Sequence, residues 1–193
     1  MQIWLPIGLL AVLALGAVAV ALLVRSWPRR AGLSAEERAE MAAAPMPALQ
    51  KRAWWGLLVM VATLAIISVI LIDQGAVTYW EDDDLRLTVV GIFIAGLFAY
   101  AGTILGPTLR RGRQKLDERD RIVLSRAGTV QSGLVLIALA GWLITLAERF
   151  REQGAIPMVY LYLLFGSIVL INLLGQSLGI LLGYWMGSAN GEG

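Results

Sequence analysis

Residues 157–186 read PMVYLYLLFGSIVLINLLGQSLGILLGYWM. The stretch holds no Asp, Glu, Lys or Arg, and it is longer than the ~18–20 apolar residues a helix needs to cross the hydrocarbon of a bilayer. In hydrocarbon every backbone N–H and C=O must find a partner within the protein, which favours the α-helix. Four further apolar runs precede it, at roughly 3–24, 54–72, 87–107 and 127–147. Hydrophobic residues make up 58% of the chain and charged residues only 16%, against ~25% charged in an average soluble domain. The few charges are confined to short blocks between the runs. The pattern predicts an all-α integral membrane bundle with five transmembrane helices.

Within the fifth run, Gly175, Gly179, Gly183 and Gly187 recur every four residues. Such a stripe lets two helix backbones approach closely in lipid. Asn172 and Gln176 fall on the same side of the helix, and amides in hydrocarbon need hydrogen-bond partners. Their spacing points to helix–helix packing, or alternatively to a polar ligand or ion site. Gly91, Ala95 and Ala99 form a second line of small residues on the third run, read as a matching packing surface. Gln131 and Ser132 give the fourth run a polar patch, and the Tyr100 hydroxyl, deep in the third, needs a carbonyl or a polar group on a facing helix.

Basic residues accumulate on the cytoplasmic side of membrane proteins. Segments 25–52 and 108–126 hold all the Lys and Arg except Arg86, Arg149 and Arg151. Loop 73–86 is acidic, with Glu81, Asp82, Asp83 and Asp84 in a row. The expected orientation is N-terminus outside, both basic loops inside and C-terminus inside. Trp54, Trp55, Tyr79, Trp80, Tyr160, Tyr162, Tyr184 and Trp185 cluster at the run ends, where aromatic rings favour the headgroup level. Run 3–24 lacks the basic residues that open a signal peptide, and Arg25, Arg29 and Arg30 follow it, so it is expected to remain as an anchor.

These borders divide the chain into an anchor 1–24, a cytoplasmic linker 25–52, a four-helix bundle 53–187 and a tail 188–193. Ser34 and Glu37 form a capping box before an Ala- and Glu-rich stretch that Pro45 ends, predicting a short helix at 35–44. Asp73-Gln74-Gly75-Ala76-Val77 is echoed by Glu152-Gln153-Gly154-Ala155-Ile156, a weak parallel repeat of two helical hairpins.

Chemistry is limited by what the chain lacks. It has no Cys and no His, so it offers neither disulfides, thiolate nucleophiles nor His ligands for zinc or haem. No charged residue lies near the middle of a run, whereas proton relays and coupled carriers use intramembrane acids or bases. The expectation is no enzyme, no cofactor and no resident metal. Glu81, Asp82, Asp83 and Asp84 could hold a divalent cation, although such a run is more often a solvated face. Arg110, Arg111, Arg113 and Lys115 lie where they would meet anionic lipid headgroups, and lipid contact explains them without nucleic acid.

After that cluster come Asp117, Glu118, Arg119 and Asp120. Here the chain resembles a family of uncharacterised prokaryotic four-helix membrane proteins, a domain of unknown function in which an Asp-Glu-Arg-Asp/Glu run joins two helical hairpins. The match would cover about 52–187. The resemblance implies a prokaryotic cytoplasmic (inner) membrane protein and no particular activity; run 3–24 and its linker depart from the pattern. The sequence is read as that of a non-catalytic accessory or structural subunit, contacting lipids and other membrane subunits or a second copy. The alternatives are a small oligomeric transporter or channel lined by Asn172, Gln176 and Gln131, and a sensor signalling through its basic loops.

Overall fold

A computed structural model describes residues 46–111 and 118–189, with side-chain surroundings for 46–103 and 120–185. The expected span 3–24 and helix 35–44 lie outside the described residues, as do residues 190–193 of the expected tail 188–193, whose first two residues belong to the last helix. Five helices are described: α1 (Ala48–Gln74), α2 (Ala76–Glu81), α3 (Asp83–Arg111), α4 (Glu118–Phe150) and α5 (Met158–Ala189). Four of them, α1, α3, α4 and α5, are long and apolar enough to cross a membrane. Four of the five expected spans are thus found among the described residues, and the fifth described helix, α2, has only six residues and is no span.

Local chemistry sets the helix ends. Pro47 precedes α1, a position at which its missing N–H costs no helical bond. The helix begins before the expected border at residue 53 and runs through Lys51 and Arg52 without a break. Gly75 stops α1 with φ 84° and ψ 156°, a conformation open essentially to glycine alone. Its N–H donates to the Leu71 carbonyl at 3.0 Å. The single turn-and-a-half of α2 then leads to Asp82, whose Oδ1 accepts from the N–H groups of Asp84 and Leu85 at 2.9 and 3.0 Å. Asp82 is thus the N-cap of α3, and Asp83 and Asp84 in the first turn suit the helix dipole. At the same end of the second hairpin, Gly154 takes φ 67° and its N–H donates to the Phe150 carbonyl at 3.2 Å.

Packing follows a simple order. α5 lies along α4 over most of its length, α1 lies beside α5, and α3 lies beside α1, while among the described residues α3 and α4 form no packed interface. The contact seam of α1 is read in its buried residues: Ala53, Gly56, Met60, Thr63, Leu64, Ile67, Ser68 and Leu71 recur every three or four positions. The opposite face, with Leu58, Val61, Ile66 and Val69, is exposed as a lipid-facing surface must be. One apolar cluster, centred on Met60, Leu64, Leu146, Tyr160 and Leu170, fills the middle and the acidic-loop end. A second, of Ala53, Val123, Ala127, Ile180, Leu181 and Tyr184, closes the basic-loop end.

The hairpin repeat is visible in the two glycine-capped turns and goes no further. A two-fold repeat would pair α3 with α4 as α1 pairs with α5, and that interface is missing. Gly56 and Gly133, which open the matched apolar stretches, also differ: a Cβ on Gly56 would strike Ser177 and Tyr100, whereas Gly133 has nothing within 4 Å.

Candidate functional site

The polar and small residues of the sequence converge on α5. Its glycine stripe faces α4 in strict antiparallel register. A Cβ on Gly175 would lie 3.1 Å from the Gln131 Cα, one on Gly179 2.7 Å from the Ala127 Cα, and one on Gly183 2.9 Å from Val123 Cγ1. Each step of four toward the C-terminus on α5 is a step of four toward the N-terminus on α4. The two helices approach so closely along this line that a side chain at any of the three glycines would meet α4. Gly187 continues the stripe within α5, but its surroundings lie outside the described residues.

Two hydrogen-bonded groups flank the stripe. Gln131 Nε2 donates to Asn172 Oδ1 at 2.8 Å, linking α4 to α5. On the side toward α3, the Tyr100 hydroxyl stands 3.2 Å from both the Leu173 carbonyl and Gln176 Oε1, and accepts from Ser177 Oγ at 3.3 Å. Tyr100 therefore finds both kinds of partner expected for it. Gly56 of α1 makes room for this cluster, since a Cβ there would be 2.8 Å from Ser177 Oγ and 3.0 Å from the Tyr100 ring. Asn172 and Gln176, one turn apart, thus reach opposite neighbours. Ser132 is exposed and joins neither group.

Other buried hydroxyls are satisfied within their own helices. Thr63 Oγ1 donates to the Val59 carbonyl at 2.8 Å and Ser68 Oγ to the Leu64 carbonyl at 2.6 Å. Ser167 Oγ accepts from Trp142 Nε1 at 2.8 Å and donates to the Leu164 carbonyl at 2.9 Å. Such bonds keep hydroxyls paired in a medium that offers no water. Near the basic-loop end, Tyr184 donates to Asp120, so the last acid of the Asp-Glu-Arg-Asp run ties α4 to α5.

Gly91, Ala95 and Ala99 are placed differently from the expectation. All three are exposed, and nothing lies within 4 Å of a Cβ on Gly91. The close approach on α3 is made instead by Gly96, where a Cβ would be 2.5 Å from Thr63 Oγ1 and 2.7 Å from its Cγ2. Gly96 stands alone in its line of the sequence, so spacing gave no sign of it; its seam with Val89 and Tyr100 could have.

The acidic row is engaged in local contacts. Asp82 caps α3, Asp83 pairs with Arg86, and Arg86 also donates to the Trp80 carbonyl at 3.2 Å. Among the described residues no three acidic side chains converge in a way that could hold a metal ion. Helix α3 runs through Arg110 and Arg111; their side chains, with Arg113 and Lys115, lie outside the described residues.

Four long apolar helices with paired polar groups between them define a multi-pass helical membrane protein in contact with lipid. A scan against protein-family models finds no match, and searches of curated proteins and of solved structures find none. The family resemblance drawn from Asp117–Asp120 thus has no counterpart among the family models, and what stands of it is the multi-pass helical class.

Proposed function

We propose that this chain is a non-catalytic accessory or structural subunit of a prokaryotic cytoplasmic membrane, working by packing against another membrane component with its basic loops toward the cytoplasm. The observation that carries the reading is where its intramembrane polarity goes. The amides of Asn172, Gln176 and Gln131 bond one another or Tyr100 across helix interfaces. A transport pathway needs polar groups free to exchange partners with a solute; these hold helices together instead.

The glycine stripe of α5 is taken up by α4, so a partner must use another face. The exposed small-residue line of α3, Gly91-Ala95-Ala99, allows a foreign helix the close approach that Gly179 allows α4. Purification of the chain at native abundance in mild detergent tests the proposal: a partner of fixed stoichiometry is expected. Solute flux in liposomes holding this chain alone, abolished by changing Asn172 and Gln176 to Leu, would favour the oligomeric transporter instead.

A further inference from the structure

Where α3 and α4 stand apart, the acidic-loop half of the bundle leaves a partly open cavity of about 310 Å³, bounded by α1, α3, α5, Tyr79 of α2 and the Trp142 side chain of α4. That is about twice the ~150 Å³ of an apolar cavity able to stay dry and admit benzene. Away from the Tyr79 and Tyr162 hydroxyls at its acidic-loop end, its polar lining is paired: Ser68 donates to its own helix, and the Trp142 N–H is taken by Ser167, which in turn donates to Leu164. What remains for an occupant is hydrocarbon from Leu64, Ile67, Val89, Phe93 and Leu170. The cavity is continuous with the outer surface of the spans, since Val90, Ile94 and Phe165 both line it and are exposed.

The mouth lies at the border of the membrane. Tyr79 and Tyr162 line it, the Trp80 ring stands 5.3 Å from that of Tyr162, and the Arg86 guanidinium lies 5.8 Å over Trp80. Burial raises the Tyr79 pKa above its usual value, opposed by Arg86, so the phenol is neutral there. Immediately beyond come the exposed carboxylates of Glu81, Asp82, Asp83 and Asp84, with the Arg86 guanidinium paired to Asp83; Arg149 and Arg151 at the same end are matched by Glu148 and Glu152. This rim repels a net anionic headgroup and suits one that presents an ammonium beyond its phosphate.

We propose that the cavity holds an acyl chain of a phospholipid from the leaflet at the acidic-loop side, with an amine-bearing headgroup seated against the Arg86 and Glu81–Asp84 rim. The proposal goes beyond the subunit reading and does not depend on it. The test uses the full chain in phosphatidylcholine vesicles doped with phosphatidylethanolamine carrying a photoactivatable diazirine at mid-chain. The expected result is label on Phe93, Trp142 and Ser167, besides the lipid-facing Leu136 and Ile144. Phosphatidylglycerol with the same chain should label the cavity less by about fivefold, the effect of a charge contact near the bilayer surface.

Gly166→Leu, whose Cβ would meet Phe93 at 3.9 Å, fills the cavity. It should abolish label on Phe93 and Trp142 and leave Leu136 labelled. Ile94→Trp, at the exposed side opening formed with Val90 and Phe165, narrows that opening without entering the packed core and should lower the same label, which decides the matter if Gly166→Leu does not fold. Label confined to Leu136 and Ile144 in the unaltered chain would overturn the proposal, whether run 3–24 or a partner fills the space. Retention of cavity label in both variants would overturn it too, and equal labelling by the two lipids would overturn the choice of headgroup.

Discussion

A Cβ on Gly179 would stand 2.7 Å from the Cα of Ala127 and 2.8 Å from its carbonyl oxygen, so α5 and α4 touch backbone to backbone at this pair. Neither obstructing atom belongs to a side chain that could swing aside. Gly179→Leu should therefore force the helices apart, where overpacking costs about 1–3 kcal/mol, while Gly91→Leu, with open space, should leave the isolated chain's stability within ~0.5 kcal/mol. Thermal unfolding of both variants in one detergent checks this. Equal melting temperatures would mean that the stripe does not bear the α4–α5 contact.

Gly96 and Thr63 offer a test with a built-in rescue. A methyl group on Gly96 would lie 2.5 Å from Thr63 Oγ1, so Gly96→Ala should destabilise by roughly 1–2 kcal/mol. Thr63→Ala removes the two nearest atoms and leaves only its Cβ at 3.1 Å, so the double variant should regain most of the loss. Additive losses in the double-mutant cycle would show that the two residues do not meet.

The Gln131–Asn172 bond should behave as a pair. Asn172→Leu leaves the Gln131 amide without its partner and is expected to cost about 0.5–1.5 kcal/mol, the range found for interhelical hydrogen bonds in membranes. Replacing both by Leu should cost less than either single change, because no polar group is then stranded. Unfolding free energies of the three variants decide it.

The long helices and the glycine stripe were legible in the sequence because both are periodic and the bilayer admits few alternatives. What the stripe packs against was not. A line of small residues states that a backbone can come close without naming the neighbour, which is why Gly175–Gly183 met α4 while the similar Gly91–Ala99 line faces outward. Thr63 opposite Gly96, and Gly56 beneath Tyr100 and Ser177, are single coincidences of tertiary packing with no local pattern. The helix α2 was missed because its six residues show no apolar period, and the role of Asp82 was hidden in a run of like charges, although an Asp followed by an apolar helix is an ordinary capping signal.

Orientation rests on the loop charges and can be read chemically. A single cysteine in place of Asp83 should react with an impermeant thiol reagent applied to intact cells or spheroplasts, and one in place of Gln114 should react only after lysis. The opposite pattern would place the basic segments outside and remove the reason for assigning them to anionic lipid.

The subunit reading stands on the outward small-residue face of α3, and a photoreactive amino acid at Ala95 in native membranes interrogates it most directly. The expected outcome is one discrete protein adduct of defined mass from Ala95, absent when the same group is placed at Leu136 and lost on Gly91→Leu. Lipid adducts alone from Ala95, at native abundance and with the chain correctly inserted, would contradict a packing partner on that face.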